Sequence, residues 1–327
     1  MNNMWGSVAQ YNEIYWPWPI AVYLFLAGLS AGAMMVALLV KWNYHKKQDD
    51  SIWDAMVKAG AIVAPITICV GLALLVLDLG KPLSFYWILI KYNFGSVMSI
   101  GVALLLLYTP FAFLFAIIIF EEEIEKYGFL ALLRPISRLI RSFAPLSKTI
   151  ETLLFILAIG VGVYTGFLLS AITKLPLWNT PILPILFLTS GFSSGIAANI
   201  LVGLCCFKHL IHEENVKYLL VLDLRAVLFE IPLIAVLFLG LYFEGGASAL
   251  AAKQALTTGQ YALIFWLGVV GLGLLTPIAI ALTALKNHAY RVGYIVANSL
   301  VVICGVVMLR YYIVYAGQIF TGALNLD

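Results

Sequence analysis

Long apolar runs, separated by short polar stretches, dominate the amino-acid sequence. Eight of these runs are long enough to cross a bilayer as a helix, which needs about 20 mostly apolar residues. They lack the two-residue alternation of strands in an outer-membrane barrel, so helices are predicted. The runs cover residues 17–40, 55–79, 96–120, 149–173, 182–206, 218–244, 260–286 and 292–315. We therefore expect an all-α integral membrane protein with eight transmembrane helices.

The composition indicates lipid surroundings. Of the 327 residues, 63% are hydrophobic and 11% are charged, whereas soluble domains are about half apolar and a quarter charged. The formal net charge of +3 is too small to indicate a nucleic-acid partner. The four cysteines lie in apolar surroundings without a CxxC pair, so neither a disulfide framework nor a metal site with thiolate ligands is expected.

The basic residues are divided unevenly between the two sets of loops. Loops after the first, third, fifth and seventh runs contain 12 Lys and Arg residues, and the opposite loops contain 4. Because cytoplasmic loops carry the excess of Lys and Arg, both termini are predicted to be periplasmic. The expected location is the bacterial inner (cytoplasmic) membrane.

The longest loop, residues 121–148, divides the runs into two sets of four. Residues 1–120 and 149–173 form the first predicted four-helix bundle, and residues 174–327 form the second. The second half of the loop alternates Leu and Ile with Arg. This pattern fits either an amphipathic segment on the cytoplasmic membrane surface or a solvated linker.

A weak internal repeat agrees with the division into two bundles. The first run contains FLAGLSAGA and the fifth contains FLTSGFSSGIA. Each has two glycines four residues apart, Gly28 with Gly32 and Gly191 with Gly195. Small residues at this spacing allow helix backbones to approach closely in lipid, so we predict helix packing here and a parallel repeat of the two bundles.

Ionisable side chains inside a membrane span cost free energy, so each is a candidate functional group. The candidates are Asp78 at the outer end of the second run, Asp223, Arg225 and Glu230 in the sixth, and Arg310 near the outer end of the eighth. Glu151 and Glu244 fall at helix ends, where ordinary solvation is expected.

Two acidic residues of the sixth run predict a route for protons. Asp223 and Glu230 are seven residues apart and share one helical face. Carboxyl groups buried at this depth can exchange protons near neutral pH. The alternative is a structural pair with Arg225 or a polar contact between helices, although a residue two positions from Asp223 does not face it on an ideal helix.

Two tyrosines lie in the outer halves of their runs, Tyr23 in the first and Tyr164 in the fourth. A phenol can donate a hydrogen bond to a carbonyl while its ring packs against apolar neighbours. Tyrosine is common at membrane interfaces, so either residue alone indicates little. Together with Asp78 and Arg310 at similar depth, they fit a ligand with two oxygens on its head group and a hydrophobic tail, which describes a quinone.

The histidines argue against a haem. A membrane cytochrome b needs axial ligands inside its helices, usually histidines. All four histidines fall in predicted cytoplasmic loops: His45, His209, His212 and His288. His209 and His212 have the spacing of a possible metal site, but solvated loop histidines explain them as well. We expect no haem and no iron–sulfur cluster in this chain.

Four stretches of the sequence resemble one known family. They are WPWPIAVYLFLAGLSAG from Trp16, LDLGKP with Phe85 after it, NFGSVMSIG from Asn93, and VYTGFLLSAITKLPLWNT from Val163. They look like the NrfD/PsrC family, the quinone-reactive membrane subunits of molybdopterin and cytochrome oxidoreductases. The resemblance covers essentially all eight runs, and YTGxLL…PLWNT is its most specific part. Within the family the chain is most similar to the membrane subunit of polysulfide reductase (PsrC), with thiosulfate reductase close behind.

The resemblance implies a quinone pocket near the periplasmic face. Tyr164 matches the tyrosine that hydrogen-bonds the quinone, and Tyr23 matches a second polar contact that is His in some members. A phenol is a weaker base than imidazole at neutral pH, so Asp78 is the better candidate to accept a quinol proton. The expected catalytic residues are Asp78, Tyr164 and Arg310, the quinone-binding residues Tyr23, Tyr164 and Asp78, and the proton path Asp223 and Glu230.

The resemblance also implies the reaction and the partners. We expect a respiratory subunit that oxidises menaquinol and passes electrons to a periplasmic iron–sulfur subunit. A molybdopterin catalytic subunit would then reduce polysulfide or thiosulfate. A sister complex acting on nitrite, tetrathionate, dimethyl sulfoxide or formate is an alternative, because the membrane subunit does not touch the terminal substrate. A secondary transporter is a weaker alternative, because the polar cluster lies off centre and the repeat is parallel.

Overall fold

Eight long helices build the protein. The computed structural model describes residues 16–43, 52–79, 82–90, 95–126, 147–207, 213–286 and 291–318. Within these ranges eight helices are long and apolar enough to cross a membrane, and no strand is present, which confirms the all-α prediction there. They are α1 (Trp18–Asn43), α2 (Ile52–Leu77), α3 (Val97–Ile119), α4 (Ser147–Ser170), α5 (Ile182–Cys206), α6 (Glu213–Glu244), α7 (Gly259–Lys286) and α8 (Val292–Gln318).

Short helical segments lie between the long ones. A single turn at Pro82–Ser84 and a short helix at Tyr86–Ile90 follow α2, and Glu121–Lys126 follows α3. Gly245 and Gly246, with φ of 77° and 53°, turn the chain after α6 into the helix Gly246–Thr257. These φ values lie in the left-handed region, which glycine adopts without steric cost.

Some predicted features lie outside the described residues. Of the loop 121–148, residues 127–146 are outside, so the choice between an amphipathic segment and a linker stays open. All four histidines are outside as well, which leaves the possible metal site at His209 and His212 a prediction.

Helices α1 and α5 approach each other closely. A Cβ atom on Gly32 would lie 1.9 Å from the carbonyl oxygen of Gly191, and one on Gly195 would lie 2.2 Å from the carbonyl carbon of Gly32. The two backbones therefore touch directly. The glycine spacing in the sequence predicted this kind of contact, since small residues let helices approach in lipid.

Helices α1 and α5 have neighbours in both halves of the chain. Helix α1 packs against α2, α4, α5 and α8, and α5 packs against α1, α2, α4, α6 and α8. Helix α3 packs against α2 and α4, whereas α7 packs against α6 and α8. Helices α1 and α5 are therefore a central pair that connects the other helices of the two halves.

A second close approach joins α7 to α8. The middle of α7, Ile264–Leu275, has the wider turns of a π-helix, and the Thr276 hydroxyl donates a 2.8 Å hydrogen bond to the carbonyl of Gly271. A Cβ atom on Gly305 of α8 would lie 2.2 Å from Cα of Gly273. Glycines again allow backbone contact between two helices.

The loop between α4 and α5 is attached to the ends of α1 and α8. The Trp178 side chain is fully buried, its indole N–H donates to the carbonyl of Ile313 at 2.7 Å, and its ring packs against Trp16 at 5.2 Å. The backbone N–H of Trp16 donates to Oε1 of Gln318 at 2.7 Å, and Nε2 of Gln318 donates back to the carbonyl of Trp16 at 3.0 Å. The PLWNT motif therefore has a structural role in this protein.

The opposite ends of the helices are joined by charged groups. Glu151, at the start of α4, is buried; it accepts hydrogen bonds from Nζ of Lys41 at 2.8 Å and from the indole of Trp42 at 2.7 Å. The expectation that Glu151 is merely solvated is wrong, because α1 supplies two donors at the same level. Glu244, by contrast, is exposed as expected.

A charged group that the sequence analysis did not single out lies within α2. Nζ of Lys58 is 3.2 Å from Asp54, one turn earlier, and 3.5 Å from Glu123 in the short helix after α3. The two carboxylates explain how an ammonium group is accommodated in a membrane-spanning helix.

Gly195→Ala should destabilise the protein. The added methyl group meets backbone atoms of Gly32 and Ala33, which cannot move aside as a side chain can. We expect a loss of about 1–3 kcal/mol or more, because overpacking forces backbone shifts. The measurement is the thermal unfolding midpoint of the purified protein in detergent.

Gly240→Ala provides a matched control for that substitution. No atom lies within 4 Å of the position where its Cβ would be, so this methyl group meets nothing. The unfolding midpoint should stay the same or rise, since Ala favours helix over Gly by about 1 kcal/mol. Equal midpoints for both variants would contradict the backbone contact between α1 and α5.

Candidate functional site

Two of the buried tyrosines come from α1 and α4. Tyr23 is 1% exposed and Tyr164 is 7% exposed. The two phenols are close enough to interact electrostatically, and the Tyr23 hydroxyl has no hydrogen-bond partner in the described residues. A buried hydroxyl without a partner is rare and costly, so this atom is a candidate for contact with a ligand.

Gly101 makes room for the Tyr164 ring, and Gly71 lies beside the Tyr23 ring. A Cβ atom on Gly101 of α3 would lie 1.7 Å from Cζ of Tyr164 and 2.2 Å from its hydroxyl oxygen. One on Gly71 of α2 would lie 3.4 Å from Cδ2 of Tyr23. Four helices thus contribute to this place, two with a phenol and two with a glycine. We call it the tyrosine site: Tyr23, Gly71, Gly101 and Tyr164.

Asp78 lies beyond the end of α2. Its backbone N–H still donates to the carbonyl of Leu74 at 3.1 Å, so it continues the last helical turn. It is seven residues after Gly71, which puts it on the same face about 10 Å further along the axis. No hydrogen bond in the described residues joins Asp78 to Tyr23 or Tyr164.

The carboxyl group of Asp78 has an altered acidity. The side chain is exposed, yet partial burial raises the pKa of Asp78 above its ordinary value. Desolvation disfavours the charged form of a carboxyl group. A carboxylate whose pKa is raised in this way is a better proton acceptor.

Arg310 occupies the junction of α1, α5 and α8. The side chain is 1% exposed; its Nη2 donates to the carbonyl of Phe187 at 2.8 Å, and its guanidinium carbon lies 3.6 Å from the centre of the Phe187 ring. Nη2 would lie 3.2 Å from a Cβ atom on Gly28. Its Nε and Nη1 have no hydrogen-bond partner in the described residues.

Glu230 is the acidic neighbour of Arg310. The two side chains interact electrostatically, and Glu230 is 4% exposed. The Ser193 hydroxyl of α5 lies beside the Glu230 carboxyl, although the two atoms do not meet hydrogen-bond geometry. Both line a small cavity between α5, α6, α7 and α8 with about 10 Å³ for the centre of a water molecule. That volume suits about one water.

Asp223 has a partner that the sequence analysis missed. The Asn298 side-chain amide of α8 donates a hydrogen bond to Oδ2 of Asp223, and both residues are 1% exposed. Oδ1 of each has no partner in the described residues. Arg225 is exposed and forms no ion pair with Asp223 there, so of the two structural alternatives it is the polar contact between helices that is present, with Asn298 as the partner.

Another buried polar contact lies deeper in the first half of the chain. The Tyr108 hydroxyl of α3 lies 2.9 Å from the Ser30 hydroxyl and donates to the carbonyl of Ser30 at 3.1 Å. The Ser30 hydroxyl donates to the carbonyl of Ala64, just before Pro65 of α2, at 2.7 Å. These groups satisfy one another, so we assign them a structural role.

The predicted site residues therefore form two clusters. Tyr23 and Tyr164 belong to the tyrosine site. Asp78 lies about two turns further along α2 than Gly71, the glycine that this helix contributes to the site. Arg310 contacts α5 and lies beside Glu230 instead of the tyrosines. In the described residues no group of three or more His, Cys, Asp or Glu is arranged to hold a metal ion.

Fold and site define a class of protein. Eight apolar helices with few charged groups make the chain a multi-pass integral membrane protein, and a buried polar site lies beside its central helices. Residues 6–322 match the family described as "Polysulphide reductase, NrfD". The chain belongs to this NrfD family, which places it in the bacterial inner membrane.

Individual relatives match along most or all of their lengths. The chain is 49% identical to one of the polysulfide reductase chains of Wolinella succinogenes over 322 residues, which are 98% of this chain and all of that protein. It is 35% identical to the protein NrfD of Escherichia coli, over 96% of this chain and 98% of the relative. A selenate reductase subunit of Mesobacillus selenatarsenatis is 24% identical, over 91% of this chain and 73% of the relative. The resemblance inferred from sequence motifs is thus confirmed, and the chain is similar to subunits of respiratory oxidoreductases.

Proposed function

We propose that the chain is the quinone-reactive membrane subunit of a respiratory molybdopterin oxidoreductase. The observation that carries this proposal is the tyrosine site, where the buried Tyr23 hydroxyl has no partner in the described residues and lies near the phenol of Tyr164. Such a hydroxyl fits a ligand oxygen, because it lacks any other hydrogen bond there. Gly101 leaves the space that the Tyr164 ring uses, and Gly71 lies beside the Tyr23 ring.

We infer the orientation from the loop charges, with both termini in the periplasm. The tyrosine site then lies in the periplasmic half of the membrane, and Asp78 lies further out. The contacts among α1–α4 and among α5–α8 support two four-helix bundles joined through α1 and α5. Residues 1–120 and 149–173 make up the first bundle in this scheme, and residues 174–327 make up the second.

The residues of the tyrosine site have defined tasks in this proposal. When bound, a menaquinol supplies two electrons and two protons. Tyr23 and Tyr164 bind and orient its head group through their hydroxyls, which donate or accept hydrogen bonds. Asp78 accepts a proton at its carboxylate, and its position at the end of α2 leaves a way out to the periplasm. The chain supplies binding, orientation and proton acceptance, while partner subunits hold the redox centres.

The second polar cluster is assigned to proton movement. Asp223 and Glu230 share one face of α6, and both have carboxylate oxygens without a partner in the described residues. The small cavity beside Glu230 and Ser193 has room for a water that connects buried groups. Arg310 lies beside Glu230 and acts at a distance from the tyrosine site.

We propose polysulfide or thiosulfate as the terminal substrate, reduced on a molybdopterin subunit that receives electrons through an iron–sulfur subunit. The 49% identity to the Wolinella polysulfide reductase protein over whole chains supports this choice. Sister complexes that act on nitrite, tetrathionate, dimethyl sulfoxide or formate form the second candidate, because relatives with other names also match.

Tyr164→Phe should lower quinol-linked turnover of the assembled complex. The change removes one hydrogen bond to the head group, and a loss of about threefold to tenfold is expected. Turnover with reduced viologen, which bypasses the quinol, should be unchanged. Tyr242→Phe is the matched control, because Tyr242 is exposed on α6. Unchanged quinol-linked turnover in the Tyr164 variant would refute the assignment of the pocket.

Asp78→Asn should remove the acid limb of the pH profile, which is the fall of kcat/KM for quinol at low pH. A carboxylate that accepts a proton must be deprotonated, so kcat/KM for quinol should rise with pH through the pKa of Asp78. Because that pKa is raised, the limb lies above the pH range of an ordinary Asp. The measurement is kcat/KM against pH, with Asp78→Glu as the variant that should keep the limb. Identical profiles for wild type and Asp78→Asn count against the proposed role.

Glu230→Gln should slow quinol-linked turnover in proteoliposomes by at least about tenfold, if a carboxyl group must carry the proton. Viologen-linked turnover should stay at the wild-type level. Glu244→Gln serves as the control, because Glu244 lies on the same helix and is exposed. Normal turnover and normal proton release in the Glu230 variant would assign this residue a purely structural role as partner of Arg310.

A further inference from the structure

A basic groove runs along the outer surface of α6. It has a volume of about 280 Å³ and is lined by Lys217, Tyr218, Val221, Leu222 and Arg225. Neither the tyrosine site nor the cluster around Glu230 includes any of these residues. The buried Asp223 points to the other side of the helix, toward Asn298.

The spacing of the groove residues places the two cations on one stripe. Lys217, Val221 and Arg225 follow one another at intervals of four residues, so they lie above one another on the helix. The Cα atoms of Lys217 and Arg225 are about 12 Å apart along the axis, a distance that two long flexible side chains can span. Both are exposed, and no ion pair in the described ranges involves either of them.

The position of the groove along the helix is fixed by a contact to α2. The Tyr218 ring packs edge-on against Trp53, with ring centroids 5.3 Å apart and an interplanar angle of 84°. Trp53 belongs to the first turn of α2, and Tyr218 to the first third of α6. The groove therefore lies at the helix ends that the loop charges assign to the cytoplasmic side.

Apolar side chains lie between and after the two cations. Val221 and Leu222, between Lys217 and Arg225 in the chain, are partly exposed, and Phe229, one turn after Arg225, is 60% exposed. Two cations beside apolar side chains on a spanning helix match a phospholipid with an anionic head group. A soluble anion would use the charges and leave the apolar side chains without a role.

We propose that this groove binds an anionic phospholipid of the cytoplasmic leaflet, with its phosphate between Lys217 and Arg225 and an acyl chain along Leu222 and Phe229, which are seven residues apart and share one helical face. Lys and Arg side chains near the cytoplasmic membrane surface attract such head groups. The proposal depends on the orientation given under the proposed function and is independent of quinone binding.

Native mass spectrometry of the purified full-length chain in detergent tests the proposal. The probes are phosphatidylglycerol and phosphatidylcholine with the same acyl chains. Wild-type protein should bind phosphatidylglycerol more tightly than phosphatidylcholine. The double variant Lys217→Gln and Arg225→Gln should lose roughly fivefold in phosphatidylglycerol affinity per charge removed and keep its phosphatidylcholine affinity. Arg291→Gln, at an exposed position before α8, should behave as wild type.

Two further variants keep the test decisive if the double variant fails to fold. Arg225→Lys preserves the charge and should keep the preference for phosphatidylglycerol, while Arg225→Gln should weaken it. Equal binding of the two lipids by wild type would overturn the proposal, because it indicates an apolar groove only. Complete displacement of the lipid by inorganic phosphate would also overturn it, in favour of a site for a soluble anion. None of these readouts involves quinol turnover.

Discussion

The direct backbone contact between α1 and α5 is the constraint on which the rest of the structure depends. In lipid, helices gain little from the hydrophobic effect when they associate, so close packing of small residues decides which helices meet. Gly32 and Gly195 allow these two helices to touch, and both helices then reach neighbours in each half of the chain. The same contact sets the place of Arg310, whose guanidinium group fits between Gly28 and the carbonyl of Phe187.

Unpaired polar groups are rare in a membrane interior. The buried polar groups of this chain differ in whether they have a hydrogen-bond partner in the described residues. Ser30 and Tyr108 satisfy each other and a carbonyl before Pro65, and Glu151 receives two donors from α1. The Tyr23 hydroxyl, one oxygen of Glu230 and one oxygen of Asp223 have no partner in the part of the chain that the structure describes. The two buried tyrosines Tyr108 and Tyr23 differ in this respect: the hydroxyl of Tyr108 is paired within the fold, whereas that of Tyr23, which we propose to contact the ligand, has no partner in the described residues.

The fold was largely predictable from the sequence, since hydrophobic runs of this length have few alternatives in a bilayer. The glycine pairs of α1 and α5 also predicted close helix packing at these residues, although not which helices would meet. The site was predictable only in part: motif resemblance selected Tyr23 and Tyr164, but nothing in the sequence pairs Arg310 with Glu230 instead of the tyrosines, because that depends on how α5, α6 and α8 cross. Asn298 and Ser193 were missed for the same reason, as neutral polar residues in a span carry no charge signal. Glu151 was misjudged because its donors come from a distant part of the sequence.

The double hydrogen bond between Trp16 and Gln318 brings the beginning of the first helix and the end of the last one to a single place, above the buried indole of Trp178. The first and last spanning helices are therefore joined at one end by a pair of amide contacts. A reporter domain fused to either end of this helical region would occupy the same neighbourhood, so the two fusions would lie on the same side of the protein. A short linker between these two ends would in turn give a circular chain with little change in helix packing.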